Sequence, residues 1–169
     1  MSNTKTIILT ASQIGQKINR IAYEIYENNS QEKEIIVAGI MPNGYILAQK
    51  IKSVLEKIAP VKVQLVKVEV DKERPFAEEN KFELNDKEIK NKAIVLVDDV
   101  LNSGKTLIYG IKYFLNVPVK RIKTAVLIDR NHNRYPIKAD FVGLSLSTTM
   151  QEHVSVELEK KNKEVVYLV

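Results

Sequence analysis

Apolar residues recur along this 169-residue chain in two rhythms. In the first, Ile14, Ile18, Ile21, Ala22 and Ile25 return every three or four positions, which puts them on one face of a helix. Ser12 is placed to cap that helix and Asn28-Asn29-Ser30 to end it, while Lys17 and Arg20 lie off the apolar face, toward solvent. The second rhythm is a short unbroken run rich in β-branched residues, as a strand buried on both sides requires. It occurs in Glu34 to Ile40, in Ile94 to Val97 and in Ile122 to Ile128. The first run stops at Met41-Pro42-Asn43-Gly44, and Tyr45 to Ile58 then reads as a helix. The second stops at Asp98-Asp99, and after a short turn Leu107, Ile108, Ile111, Phe114 and Leu115 repeat the helical spacing.

Pro60 closes the helix before it. Val61 to Val70 then alternates as a strand whose phase breaks at Leu65-Val66, where a bulge is expected. Ala139 to Gly143 opens a further strand, and Val154 to Leu158 and Val165 to Val169 are short strands around the Lys160-Lys161-Asn162-Lys163 turn. Strands alternating with helices in this order predict an α/β doubly wound sheet, with ligands at the carboxyl ends of the strands.

Between these elements, residues 71–91 are dense in charge, with only Phe76, Phe82, Leu84 and Ile89 as apolar anchors. A polar stretch this long in a compact domain is either a lid or a tolerated insertion. The chain fits one domain. It has no Cys, which excludes disulfides, thiolate metal sites and cysteine nucleophiles, and its two His leave zinc without a ligand set. The first residues carry too short an apolar run for a signal peptide, and nothing approaches the ~20 apolar residues of a membrane span. No membrane contact is expected, and the expected location is the cytoplasm. The net charge of +5 is compatible with nucleic acid or anionic metabolites and selects neither.

The chemistry concentrates in Val97-Asp98-Asp99-Val100-Leu101-Asn102-Ser103-Gly104-Lys105-Thr106. A strand, a tight loop and a helix N-terminus present unpaired N–H groups and the positive end of a helix dipole to a phosphate. Gly104 permits close approach, Ser103 and Thr106 offer hydroxyls, and Lys105 adds a charge. A Walker loop would need glycine five positions before Gly104, where Asp99 stands. A carboxylate there repels the phosphates of a nucleoside triphosphate. Two carboxylates beside a phosphate cradle suit a sugar phosphate instead, accepting hydrogen bonds from vicinal ribose hydroxyls.

That ten-residue stretch resembles the phosphoribosyl pyrophosphate motif of type I phosphoribosyltransferases, which join a base to ribose 5-phosphate and release pyrophosphate with Mg²⁺. Val126 to Gly143 is similar to the Asp-Arg-Gly-His…Leu-Pro-Ile…Ala-Asp-Tyr-Val-Gly stretch of the bifunctional pyrimidine-operon attenuator/uracil phosphoribosyltransferases, the PyrR type. The N-terminal helix and Val37-Ala38-Gly39-Ile40 match that type too, so the likeness covers most of the chain. A weaker likeness to hypoxanthine-guanine phosphoribosyltransferases covers the motif and Asp129 to Gly143.

The resemblance implies one type I phosphoribosyltransferase domain over 1–169, with a mostly parallel sheet, a flexible lid at 71–91 and a small hood from 144–169. Asp98 and Asp99 would hold the ribose hydroxyls as the catalytic pair, and Asn102, Ser103, Gly104, Lys105 and Thr106 would anchor the 5-phosphate. Met41, Pro42, Asn43 and Gly44 would receive the pyrophosphate. Arg130 would read a carbonyl of the base; its alternative is a surface ion pair with Asp129. Mg²⁺ would be held mainly by substrate, with Asp98 and Asp99 as the protein oxygens nearest to it. Relatives usually self-associate.

Several residues depart from the pattern. Pro42 removes a backbone donor, and the loop has no Arg or Lys where PyrR-type proteins usually carry a basic residue. Purine enzymes of the family often have an acid matching Asn102, which can act as general base, and Asn cannot take a proton. Asn131 replaces a usual Gly, implying left-handed backbone. His132 reads as a loop hydrogen-bonder, and no aromatic lies between Leu144 and Met150 to stack on a base. Three functions follow: uracil phosphoribosyltransferase, favoured because uracil-type relatives manage without the acid; an RNA-binding attenuation regulator with little catalysis; and an oxopurine phosphoribosyltransferase.

Overall fold

A computed structural model describes residues 4–76 and 81–169. Its main sheet has six strands in the order β4-β3-β2-β5-β6-β7: Lys81–Phe82, Lys62–Glu69, Glu34–Ile40, Ala93–Leu101, Arg121–Asp129 and Phe141–Ser145. All neighbours run parallel except β4, which lies antiparallel on β3. The chain order reverses between β2 and β5, so the crevice between their carboxyl ends is the switch point where such sheets bind ligands.

Apolar runs on the strands are explained by two cores. Ile35, Val37, Val95, Val97 and Leu127 pack on one side against α1 (Ala11–Asn28) and α2 (Asn43–Ile58). Ile36, Ala38, Ile40, Leu96 and Val126 pack on the other, with Leu107 of α4 (Lys105–Lys112), Phe114 just past it, and Ile89 of the one-turn α3 (Asp86–Ile89). Successive side chains enter opposite cores, so the runs Ile35–Ala38 of β2 and Ala93–Val97 of β5 are apolar without a break.

The same principle corrects the bulge expected at Leu65-Val66. Residues 62–68 pair with 34–40 in unbroken parallel register. Val63 and Leu65 face the first core, and Val66 and Val68 face the second. The phase break marks a strand covered on both faces, not an inserted residue. Residues 71–91 also differ from a structureless stretch. β4 and α3 fall within them, and Phe82 stacks on Tyr113 and meets Phe114 edge-on, with centroids 5.6 and 4.8 Å apart. Phe76 is exposed, and part of the expected lid, 77–80, lies outside the described residues.

A second sheet, order β1-β9-β8, is antiparallel and joins Thr6–Leu9 to Val165–Leu168 and Val154–Glu157. The two tail strands match the sequence pattern, whereas the N-terminal strand, which pairs with β9 at one edge of this sheet, was not expected. Leu9, Val156, Leu158 and Val166 sink into the first core, which fixes this small sheet beside the switch point. Arg20 is not merely solvated: it donates to the carbonyls of Val142 and Gly143 and ties α1 to β7.

The cap of α1 is Thr10, not Ser12. Its Oγ1 accepts from Gln13 N while Gln13 Oε1 accepts from Thr10 N, a reciprocal capping box. Thr10→Ala is therefore expected to lower stability by about 1 kcal/mol, and Ser12→Ala to change it by less than about 0.5 kcal/mol. Urea unfolding of the two variants checks this, and equal losses would return the cap to Ser12.

Candidate functional site

Strand β5 carries its apolar run through Ala93–Val97 and continues past the two acids to Leu101. Asp98 and Asp99 thus sit inside the ladder rather than beyond it, and both are buried. Backbone contacts aim them: Asp98 Oδ1 accepts from Asp99 N, and Asp99 Oδ1 from Val100 N, each at 2.9 Å. The N-terminus of α2 leans on the same strand at Gly44. A Cβ there would lie 2.5 Å from the Val97 carbonyl and 2.9 Å from Asp98 Cα, so only glycine lets the helix come this close.

After Leu101 the chain turns through Asn102, Ser103 and Gly104 into α4. Gly104 has φ of 85°, a left-handed conformation, and a Cβ on it would strike Ile137. Ser103 holds the loop from both ends. Its Oγ accepts from Lys105 N, and its carbonyl accepts from the N–H groups of Arg134 and Tyr135. The first-turn N–H groups of α4 have no intrahelical acceptors and open toward the loop. Residues 98–107 line one cavity of about 190 Å³ together with Lys72 and Val154. This space is below the ~300–1,000 Å³ of a pocket for a larger organic ligand, and its walls are polar. It suits a small polyanionic sugar.

Lys72 was not singled out from the sequence. It lies just past β3 in the charge-dense stretch, and only the sheet order brings it to the β5 acids. Asp98 holds its proton well above the ordinary 3.8 because burial strips it of water, and the neighbouring Asp99 carboxyl adds repulsion; the Lys72 charge works in the opposite direction.

The Met41–Gly44 segment is tighter than a loop. Met41-Pro42 is a cis peptide, and α2 begins at Asn43, two residues before the expected start. Met41 N donates to Val68 O and Pro42 has no N–H, so backbone donors for an anion come only from the first turn of α2. The Asn43 side chain donates to Asp99 Oδ2 and to Val156 O, both at 3.0 Å, and so joins this segment to the acid pair and to β8.

Arg130 forms no ion pair with Asp129, whose Oδ1 accepts from Asn131 N. It is buried, and its guanidinium donates to Thr148 Oγ1, Asn102 Oδ1, Thr149 O and Glu152 O. Four of its N–H contacts are therefore internal, which leaves little of it for a base. Asn131 does adopt left-handed backbone, φ 56°, and His132 Nε2 is 2.6 Å from Thr148 O. Met150 is exposed. Among the described residues no three His, Cys, Asp or Glu side chains converge on a metal position. Two adjacent carboxylates suit an oxygen-seeking ion that takes its remaining ligands from substrate and water.

The raised Asp98 pKa has a definite consequence for stability. An unfolded Asp98 releases its proton near 3.8 while the folded one retains it, so between 3.8 and the raised value the unfolded chain binds fewer protons and stability falls as pH rises. Asp98→Asn is expected to stabilise the free protein by an amount that grows with pH above 3.8 and vanishes below it. Urea unfolding across a pH series tests this, and wild-type and variant curves that run parallel would contradict it.

Comparison with known proteins agrees with this geometry. Residues 5–161 match the family model of the phosphoribosyl transferase domain. The chain is 36% identical to a "Bifunctional protein PyrR" of Macrococcus caseolyticus, over 97% of this chain and 98% of that one. It is 35% identical to the PyrR of Fusobacterium nucleatum, over 96% and 97%. In fold it is similar to a hypoxanthine phosphoribosyltransferase of Trypanosoma cruzi, with TM-score 0.75, 17% identity and 95% of each chain covered. A hypoxanthine-guanine phosphoribosyltransferase of Bacillus anthracis gives TM-score 0.73 and 17% identity over 96% of this chain and 97% of the other. The chain belongs to the type I phosphoribosyltransferase family and is PyrR-like within it.

Proposed function

We propose that the chain transfers ribose 5-phosphate from phosphoribosyl pyrophosphate to uracil in the cytoplasm, forming UMP and pyrophosphate. The observation that carries this reading is the single small cavity walled by Asp98, Asp99 and the 102–106 loop. A ribose 5-phosphate fits it with its hydroxyls on the acids and its phosphate on Ser103, Lys105, Thr106 and the α4 N-terminus. In the reaction a bond forms between uracil N1 and ribose C1 as the bond from C1 to pyrophosphate oxygen breaks, and the N1 proton leaves to solvent. Asp98 and Asp99 hold the ring in place and offset positive charge developing at C1. Mg²⁺, when bound, neutralises charge on the departing pyrophosphate. Lys72, in the wall of the cavity, supplies the cation that the Met41–Gly44 segment lacks.

Uracil is favoured over an oxopurine because Asn102 cannot act as a base, and because the PyrR-like relatives match at far higher identity than the purine enzymes. A second reading, an RNA-binding regulator with little catalysis, draws support from Asn43. Its side chain is spent on Asp99 and Val156, where a basic side chain would have drawn pyrophosphate. The basic residues available for RNA are fewer than the sequence offers. Of the basic set Lys120, Arg121, Lys123, Arg130, Arg134 and Lys138, Lys120 and Arg121 pair with Glu32, Lys123 pairs with Asp140 and Arg130 is buried, so within this set only Arg134 and Lys138 have no ion pair among the described residues. Self-association accompanies the transferase reading and is measured by sedimentation.

Purified chain given phosphoribosyl pyrophosphate, Mg²⁺ and each of uracil, hypoxanthine, guanine and xanthine should release pyrophosphate with uracil and not with the oxopurines. Release with an oxopurine alone would replace uracil as the substrate. No release with any base, alongside tight UMP binding, would favour the regulator.

A further inference from the structure

Asn102 and Arg130 form a pair that the transfer reaction as described leaves without a task. Asn102 is exposed in the wall of the sugar-phosphate cavity, and its Oδ1 accepts from Arg130 Nη1 at 2.9 Å. A guanidinium only donates, so the atom facing it has to be the amide oxygen. The usual ambiguity between the two ends of an Asn side chain is thereby removed, and the NH2 group must point away from Arg130. Arg130 is itself clamped by Thr148 Oγ1 and by the carbonyls of Thr149 and Glu152, so the amide is oriented from behind by a group that cannot swing. The Asn102 NH2 has no hydrogen-bond acceptor among the described residues. It is an oriented, unpaired donor at the edge of a ligand cavity.

The position of the sugar fixes what this donor meets. With the ribose hydroxyls on Asp98 and Asp99 and the phosphate on the loop from Ser103, both ends of the sugar are held on either side of Asn102. Arg130 ties Asn102 to the 148–152 segment, and a base attached at C1 would leave the cavity on that side. In uracil, N1 is flanked by the C2 carbonyl, so O2 is the acceptor nearest the sugar. We propose that Asn102 Nδ2 donates to O2 of the pyrimidine ring, and that Arg130 is the positioning residue that sets the amide's direction. This rests on the transferase reading for the pose of the sugar. Donation to O2 also favours the ring that has lost its N1 proton, because the charge left on N1 is shared with O2. Asn102 assists a pyrimidine without accepting a proton, as an acid at this position would for a purine.

The test is calorimetric binding of UMP, 2-thio-UMP and ribose 5-phosphate to wild type, Asn102→Ala, Arg130→Gln and the double variant. Sulfur is a poorer acceptor than oxygen, so wild type should prefer UMP to 2-thio-UMP. Asn102→Ala should weaken UMP about tenfold and abolish that preference, with a clearly smaller loss for ribose 5-phosphate. Arg130→Gln should weaken UMP in the wild-type background and add nothing in the Asn102→Ala background. If Arg130→Gln fails to fold, Asn102→Ala alone decides, since its side chain is exposed. Equal losses for UMP and ribose 5-phosphate would assign Asn102 to the sugar and overturn the proposal. Unchanged UMP affinity, or wild type binding UMP no better than ribose 5-phosphate, would overturn it as well. The readout is binding, so failure of the transferase reading shows separately, as absent pyrophosphate release.

Discussion

Two neighbouring carboxyl groups buried at the end of a central strand are the constraint around which this molecule is arranged. Asp98 and Asp99 lose water by lying inside the β5 ladder, and their proximity adds repulsion. The surroundings offset this with short-range polar contacts: backbone N–H groups of Asp99 and Val100, the Asn43 amide, and the charge of Lys72. In the proposed pose a sugar bearing vicinal hydroxyls would donate to this pair, and the apolar body of β5, covered on both faces, keeps the acids from moving to meet water instead.

Holding that pair requires three separate pieces of chain to converge. Gly44 lets α2 press against β5, Asn43 joins Asp99 to β8 of the small sheet, and Arg130 joins the loop after β5 at Asn102 to the 148–152 segment. The small sheet therefore does more than cover the site. Its β8 carbonyl at Val156 and the segment before it are linked through Asn43 and Arg130 to Asp99 and Asn102, which line the cavity. Asn43 and Asn102 are both neutral amides that act as links, Asn43 between Asp99 and β8, and Asn102 between the loop after β5 and Arg130.

What the sequence disclosed and what it concealed divide along the range of the interactions. The strand Glu34–Ile40 and the acid–loop–helix motif were legible because apolar runs, Gly104 and Lys105 act on their immediate neighbours. Thr10 was legible in principle, since Thr-x-x-Gln is a capping signature, and the nearer serine obscured it. Leu65-Val66 misled because apolar residues on both faces look like a slip when one face is assumed to be wet. Lys72, the β1–β9 pairing and the Arg130 contacts were not legible. Each depends on which strands lie side by side or which carbonyls a long side chain reaches, and neither is written in local spacing.

The central claim is that Asp98, Asp99 and the loop after them form a ribose 5-phosphate cradle. Titration of phosphoribosyl pyrophosphate with Mg²⁺ into wild type and into the Asp98→Asn, Asp99→Asn double variant tests it most directly, with circular dichroism as the check on folding. Binding should be saturable in wild type and lost in a folded double variant. Unchanged affinity in that variant would contradict this claim.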